Sequence, residues 1–265
     1  MTSRASIAFM ACLLPSSVTL ADDKPARPFA IVELFTSEGC SSCPPAEHLA
    51  NDLVQSARKK NQRIYVLAFH VDYWDYLGWP DRFAHKDYTA RQRQYASTWR
   101  TRQIYTPQSI VNGGARGFVG SNRTSLTQNV AAAMKQSPPI DLAIAITAPV
   151  KSKSPKDDPN PPAQITYKVK DTKATDVLNV ALVERALNTK VLRGENRGRS
   201  LTHENVVRWF NTVKIHRTAQ GRVTVPLPKD LNKSNASIIA YVQDSKTMLI
   251  RGADRIDMPQ PKPAK

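Results

Sequence analysis

Cysteine is scarce in this chain: three in 265 residues, Cys12, Cys40 and Cys43. A structural zinc site usually takes four ligands, typically with a second Cys or His pair at short spacing. None accompanies Cys40 and Cys43, so no metal site is expected from spacing. Beyond the N-terminus no stretch approaches the ~20 apolar residues that a membrane-spanning helix needs. Nor is there a block of like charge or a nucleic-acid motif, although the net charge is +16. Lys and Arg are spread over both halves, which suits a solvated basic surface better than a DNA or RNA footprint.

What is present begins with an address. Met1 to Ala21 carries Arg4, an apolar segment from Ala5 to Leu14, and Thr19-Leu20-Ala21 as a small-residue cleavage site. That is the pattern of a secretory signal peptide, and it predicts a periplasmic or secreted protein. Cys12 then leaves with the signal. The mature chain keeps one possible intrachain disulfide, Cys40 to Cys43, in an oxidising compartment. Closing so small a loop stabilises little, so the pair is better explained by reactivity than by strength.

The residues around the pair support that reading. Phe29 to Phe35 is a nearly continuous apolar run, as in a strand buried on both faces. After Cys43 the period changes, with Ala46, Leu49, Ala50, Leu53, Val54 and Ala57 at helical spacing and Pro44 and Pro45 where a first turn tolerates proline. Cys40 therefore sits at a helix N-terminus, a setting in which a thiol pKa commonly falls to between ~3.5 and ~7.5. Cys40 is the expected attacking thiol and Cys43 the resolving one, with exchange passing through a mixed disulfide.

Arg63 to Phe69 reads as a second buried strand, parallel to the first across a right-handed crossover. His70, Asp72 and Asp75 follow it and open on the Cys40 edge. They are candidates to shuttle protons or poise the thiolate, or simply to cap the strand end and the next helix. From Tyr73 to Arg102 runs a polar, aromatic insertion with a helix around Ala90 to Trp99, suited to a lid or substrate platform. Pro107 precedes a glycine-turned hairpin and a helix over Asn122 to Lys135, in a position where a cis peptide is natural.

Beyond Pro138 the composition shifts. Pro149 to Pro162 reads as a flexible loop, surrounded by short alternating segments at the spacing of a β-sandwich. Gly194 to Asn205 is a polar loop expected to dock on the Cys40 edge, where Arg197 or Arg199 would pair with Asp72 or Asp75. The tail from Met258 is expected to be disordered.

The order of elements, the Cys40-Ser41-Ser42-Cys43 motif and Thr106-Pro107 before a hairpin strand resemble the thioredoxin fold over roughly residues 28–137. More closely, Glu33 to Ala46, His70 to Trp79, Arg91 to Tyr95, Tyr105 to Gln108 and Gly194 to Asn205 resemble a family of secreted thioredoxin-like bacterial proteins catalogued as a domain of unknown function. Ser41-Ser42 departs from the Gly-Pro of ordinary thioredoxins, no tryptophan precedes Cys40, and the insertion before Pro107 is long. With that resemblance for residues 28–137, the expected organisation is a signal peptide (1–21), a thioredoxin-like α/β domain with a long insertion (28–137), an all-β sandwich-like domain (138–257) and a tail (258–265). The resemblance also implies that Glu33 lies near the buried acid that takes a proton from the second cysteine, although a solvent-facing glutamate fits the strand equally well. Thr106 and Pro107 would wall the substrate side, where a peptide adds as a strand.

The expected function is an exported thiol-disulfide oxidoreductase acting on exported proteins or small thiols and disulfides, with no cofactor. Two alternatives stand beside it: a copper carrier using Cys40, Cys43 and His70, with His203 arriving from the second half, and a non-catalytic interaction module. The direction of exchange depends on small electrostatic terms, since 30 mV is already about 1.4 kcal/mol.

Overall fold

The computed structural model describes residues 27–114, 116–147, 161–215 and 219–259, and within them the chain builds outward from two parallel strands. The expected signal segment lies outside the described residues, as do most of the loop expected over Pro149 to Pro162 and the last six residues of the tail. β1 (Ala30–Thr36) and β2 (Ile64–His70) pair in register from Ala30 with Ile64 to Thr36 with His70. α1 (Pro44–Lys59) connects them, with prolines in its first turn and Arg58 and Lys59 in its last, where they complement the helix dipole.

Both strands are buried throughout, because each face of the sheet is covered. Strand alternation decides which residue meets which cover. Ala30, Val32 and Leu34 pack with Ala46, Leu49, Ala50 and Val54 of α1 and with Leu126 and Val130 of α3 (Arg123–Ala133). Ile31, Phe35, Leu67 and Phe69 face the other way, onto Tyr88 and Tyr95 of α2 (Lys86–Thr98). β3 (Gln108–Val111) runs antiparallel to β1, and β4 (Phe118–Val119) pairs with β3.

The remaining strands are β5 (Leu142–Thr147), β6 (Ala163–Val169), β7 (Asp176–Glu184), β8 (Leu187–Lys190), β9 (Ser200–His203), β10 (Val206–Lys214), β11 (Ala219–Val225), β12 (Ala236–Asp244) and β13 (Ile250–Asp257). They correct the expected fold class. Instead of a thioredoxin-like α/β domain followed by a separate all-β domain, the chain forms one mixed eight-stranded sheet in the order β13-β12-β7-β10-β2-β1-β3-β4. The sheet passes straight through the boundary expected near residue 138. The joint is the free edge of β2. Val206 pairs there with Ala68, Ala68 N–H donates to Asn205 O (3.0 Å), and Asn205 Nδ2 donates to Val66 O (3.0 Å).

β11, β6 and β5 make a three-stranded sheet over Leu178, Val180, Leu182, Ile238 and Ala240. The alternate residues of β7 and β12, Ala181, Val183, Ile239 and Tyr241, share a core with Ile31 and Phe35. One face of the large sheet thus carries α1, α3 and the small sheet, and the other carries α2. Met258, expected in a disordered tail, is buried and donates its N–H to Ala236 O (3.0 Å).

A second seam joins the halves at Asn112, whose carbonyl accepts from Ile250 N–H (3.0 Å). The next residue, Gly113, has φ +66°, and a Cβ there would stand 1.8 Å from Met248 O. Gly113→Ala is therefore expected to cost more than the ~1–2 kcal/mol of left-handed strain alone, because the backbone at Met248 must also move. Urea denaturation checks it: a midpoint equal to wild type would show that the seam is loose.

Candidate functional site

Cys40 and Cys43 form a disulfide, with Cα atoms 5.4 Å apart, where β1 leads into α1. Cys43 caps the helix. Its carbonyl accepts from Ala46 N–H (2.9 Å) and Glu47 N–H (3.1 Å), and its own N–H donates to Cys40 O (3.2 Å). Because Pro44 and Pro45 bring no N–H, a thiolate here draws on the helix dipole more than on free first-turn donors. Ser42 Oγ lies 3.3 Å from Cys40 Sγ, within reach of a sulfur anion.

Ser41 and Ser42 are exposed, yet both cysteines are fully buried. The turn between β8 and β9 covers them. Asn196, itself fully buried, donates from Nδ2 to Glu38 O and to Cys40 O (2.9 Å each), and Ser41 N–H donates to Glu195 Oε2 (3.1 Å). Those contacts with Ser41 hold the Glu195 carboxyl below its ordinary pKa. The contact is therefore present at neutral pH and released only as the medium becomes acidic enough to protonate it. The loop thus docks on the Cys40 edge, but through Glu195 and Asn196. Arg199 instead donates to Asn196 Oδ1 (3.1 Å), and no ion pair joins Arg197 or Arg199 to Asp72 or Asp75 among the described residues.

Beside the disulfide lies a buried polar cluster. Glu47, one turn after Cys43, accepts from Thr36 Oγ1 (2.6 Å) and contacts His203 Nδ1 (2.6 Å). His203 Nε2 lies 3.2 Å from Glu38 Oε1, without hydrogen-bond alignment. His70 Nδ1 contacts Asp81 Oδ2 (2.6 Å), which also accepts from Glu38 N–H (2.8 Å). Trp79 Nε1 donates to Glu38 Oε2 (2.8 Å), and Phe83 sits edge-on to both imidazoles. Burial opposes charge on His203, but the Glu47 and Glu38 carboxylates override it and hold its pKa up at about 10. Burial likewise opposes ionisation of Glu47 and Asp81, and their histidine partners reverse the effect, leaving both carboxyls below the usual range. His70 is raised, since Asp81 outweighs its desolvation.

Of the residues singled out from sequence, His70 and His203 come together in this cluster, beside Cys40 and Cys43. Pro107, in a cis peptide with Thr106, is nearby: a Cβ on Gly120 would stand 3.1 Å from both Pro107 Cβ and Ala46 Cβ, which puts the proline beside the first turn of α1. Thr106 Oγ1 accepts from Trp74 Nε1 (2.7 Å). Asp72 is bound to Thr89 of α2, and Asp75 Oδ1 accepts from Asp81 N–H (3.1 Å), so both brace the insertion.

Glu33 does not belong to the centre. It is buried on the α2 face of β1, opposite the face that carries α1, and pairs with Arg91 and Tyr241. The buried acids near the disulfide are instead Glu47 and Glu38, which the sequence reading passed over. The signal for Glu47 was its helical spacing, four residues after Cys43 and hence on the same face. Asp81 carried no such signal, and Asn196 was marked only as part of the polar loop from Gly194 to Asn205.

A mixed sheet holding a covered two-cysteine centre at a helix start is the class that fold and site define. Residues 31–243 match the model of a family described as "Protein of unknown function (DUF1223)", and the chain belongs to that family. Among solved structures, an X-ray structure of an Agrobacterium tumefaciens protein is 23% identical, covers 91% of this chain and 99% of its own, and superposes with a TM-score of 0.65. HBP35 of Porphyromonas gingivalis is 13% identical over 91% of this chain and 79% of its own, with a TM-score of 0.58. At these identities the likeness is one of fold. No curated protein matches the chain.

Proposed function

We propose that this chain is an exported thiol-disulfide oxidoreductase whose centre, Cys40 and Cys43, works beneath a movable cover. The observation that carries the reading is the disulfide itself: a four-residue ring at the N-terminal end of α1, too small to add much stability and placed where a dipole favours a thiolate. The signal-peptide pattern of Met1 to Ala21 supports export. In the reduced protein the Cys40 thiolate attacks a substrate disulfide, forming a mixed disulfide and releasing one substrate thiolate. The Cys43 thiolate then attacks Cys40 Sγ, closing the Cys40–Cys43 bond and releasing the second. Two electrons and two protons pass to the substrate, and the reverse sequence oxidises a dithiol. Thr106 and Pro107 line the approach.

Exchange requires the Glu195–Asn196 turn to lift. Asn196→Ala removes two buried hydrogen bonds at about 1 kcal/mol each, and is expected to raise the reduction rate of the folded protein roughly thirtyfold. Alkylation of the released thiols against time measures it, and an unchanged rate would show that the turn is no barrier. Copper carriage by Cys40, Cys43 and His70 needs both thiolates free, so it is open only to the reduced protein.

A further inference from the structure

We propose that Glu47, His70 and His203 form a binding site for a divalent ion of the zinc class, with Glu38 as a neighbouring oxygen donor. The inference is independent of the redox reading. These three residues come from α1, β2 and β9, and each offers a ligand atom within 4.8 Å of the others. Zinc bonds nitrogen and oxygen at about 2.0–2.2 Å, so closure asks the side chains to draw in by roughly an ångström.

A second observation points to a ligand. His70 Nε2 is buried in this cluster without a hydrogen-bond partner, an atom rarely left so in a native interior, and beside it His203 Nε2 and Glu38 Oε1 face each other at 3.2 Å without hydrogen-bond alignment. The His70 ring is already set for coordination, because Asp81 accepts from Nδ1–H (2.6 Å) and turns Nε2 toward the cluster. That carboxylate–imidazole pairing is the usual support of a metal-bound histidine. The donor set points the same way: the carboxyl groups of Glu38, Glu47 and Asp81 converge on the two imidazoles, and an ion that binds there displaces any ring proton. Imidazole with carboxylate suits zinc and its neighbours, whereas a sulfur-bonded copper(I) would need the cysteines, which are joined to each other. Ligands 23 and 156 residues from Glu47 leave no spacing motif, which is why the sequence showed none.

The ion enters when the β8–β9 hairpin lifts, or during folding. The test uses the full oxidised protein, with zinc added either to the folded chain or during refolding from urea with the disulfide intact. One equivalent per chain is expected after gel filtration, and cobalt in its place should show the visible bands of nitrogen and oxygen ligation without thiolate charge transfer. His70→Gln and His203→Gln should lose the ion, Asp81→Asn should bind about 10–100-fold more weakly, and the Cys40→Ser/Cys43→Ser double variant should bind as wild type. No uptake by either route, uptake unchanged in folded histidine variants, or uptake lost with the cysteines would overturn the proposal. Should the histidine variants fail to fold, the wild-type cobalt spectrum decides.

Discussion

Arg91→Met is expected to destabilise the protein by about 3–5 kcal/mol, the range for removing one partner of a buried ion pair. Arg91 is 4% exposed and donates from Nε to Glu33 Oε1 (3.0 Å) and from Nη2 to the same oxygen and to Gln243 Oε1 (3.1 Å). Its guanidinium lies over Phe210 (4.9 Å), Tyr95 (5.4 Å) and Tyr241 (5.6 Å). Methionine fills the volume but leaves the Glu33 carboxylate buried without its cation, held by the hydroxyls of Tyr241 and Tyr95. Because α2 belongs to the first half of the chain and Gln243 and Tyr241 to β12, the loss should appear as one cooperative transition. Adding Glu33→Met to Arg91→Met should recover most of the stability, since the second change removes the orphaned charge. A double variant no more stable than Arg91→Met alone would show that the pair is not the source.

This ion pair also marks where the sequence stopped being legible. The strands and helices were readable because each has one strong period: Phe29 to Phe35 lies over β1, Arg63 to Phe69 over β2, and the Ala46 to Ala57 stripe along α1. Which edges pair was not readable. β2 and β7 are apolar on both faces, a pattern that says a strand is enclosed without saying by what. The halves therefore read as two domains, although β10 adds to β2 and makes one sheet.

The site divides in the same way. Cys40, Cys43 and His70 lie near one another along the chain or across the β1–α1–β2 crossover, so local geometry placed them, and Pro107 follows because it precedes β3, which pairs with β1. Glu33 was misplaced for want of a parity argument: it alternates with Thr36 and Leu34 and faces the other side, whereas Thr36 and His70 share the α1 side. Glu38 and Asp81 gained meaning only when the loop after β1 met the insertion, whereas His203, a possible copper ligand on sequence, found its carboxylate partners when β9 packed on α1, through Asn51 Nδ2 donating to Thr202 O (2.8 Å).

The second large effect concerns the cysteines. Cys40→Ser is expected to abolish exchange, and Cys43→Ser to accumulate mixed disulfides through Cys40, because only Cys43 can resolve them from within the chain. Partners would be captured from exported proteins and separated on non-reducing gels. Trapping by both single variants, or by neither, would remove the assignment of attacking and resolving roles.

The claim on which the account turns is that the buried disulfide reacts by local opening of its cover. The most direct test is the rate at which a small dithiol reduces Cys40–Cys43 across a series of low urea concentrations, read by alkylation and mass. Local opening exposes little surface, so the rate should hardly change with urea below the unfolding transition. A rate that climbs with the full slope of global unfolding would contradict the account and make the disulfide a structural fastening.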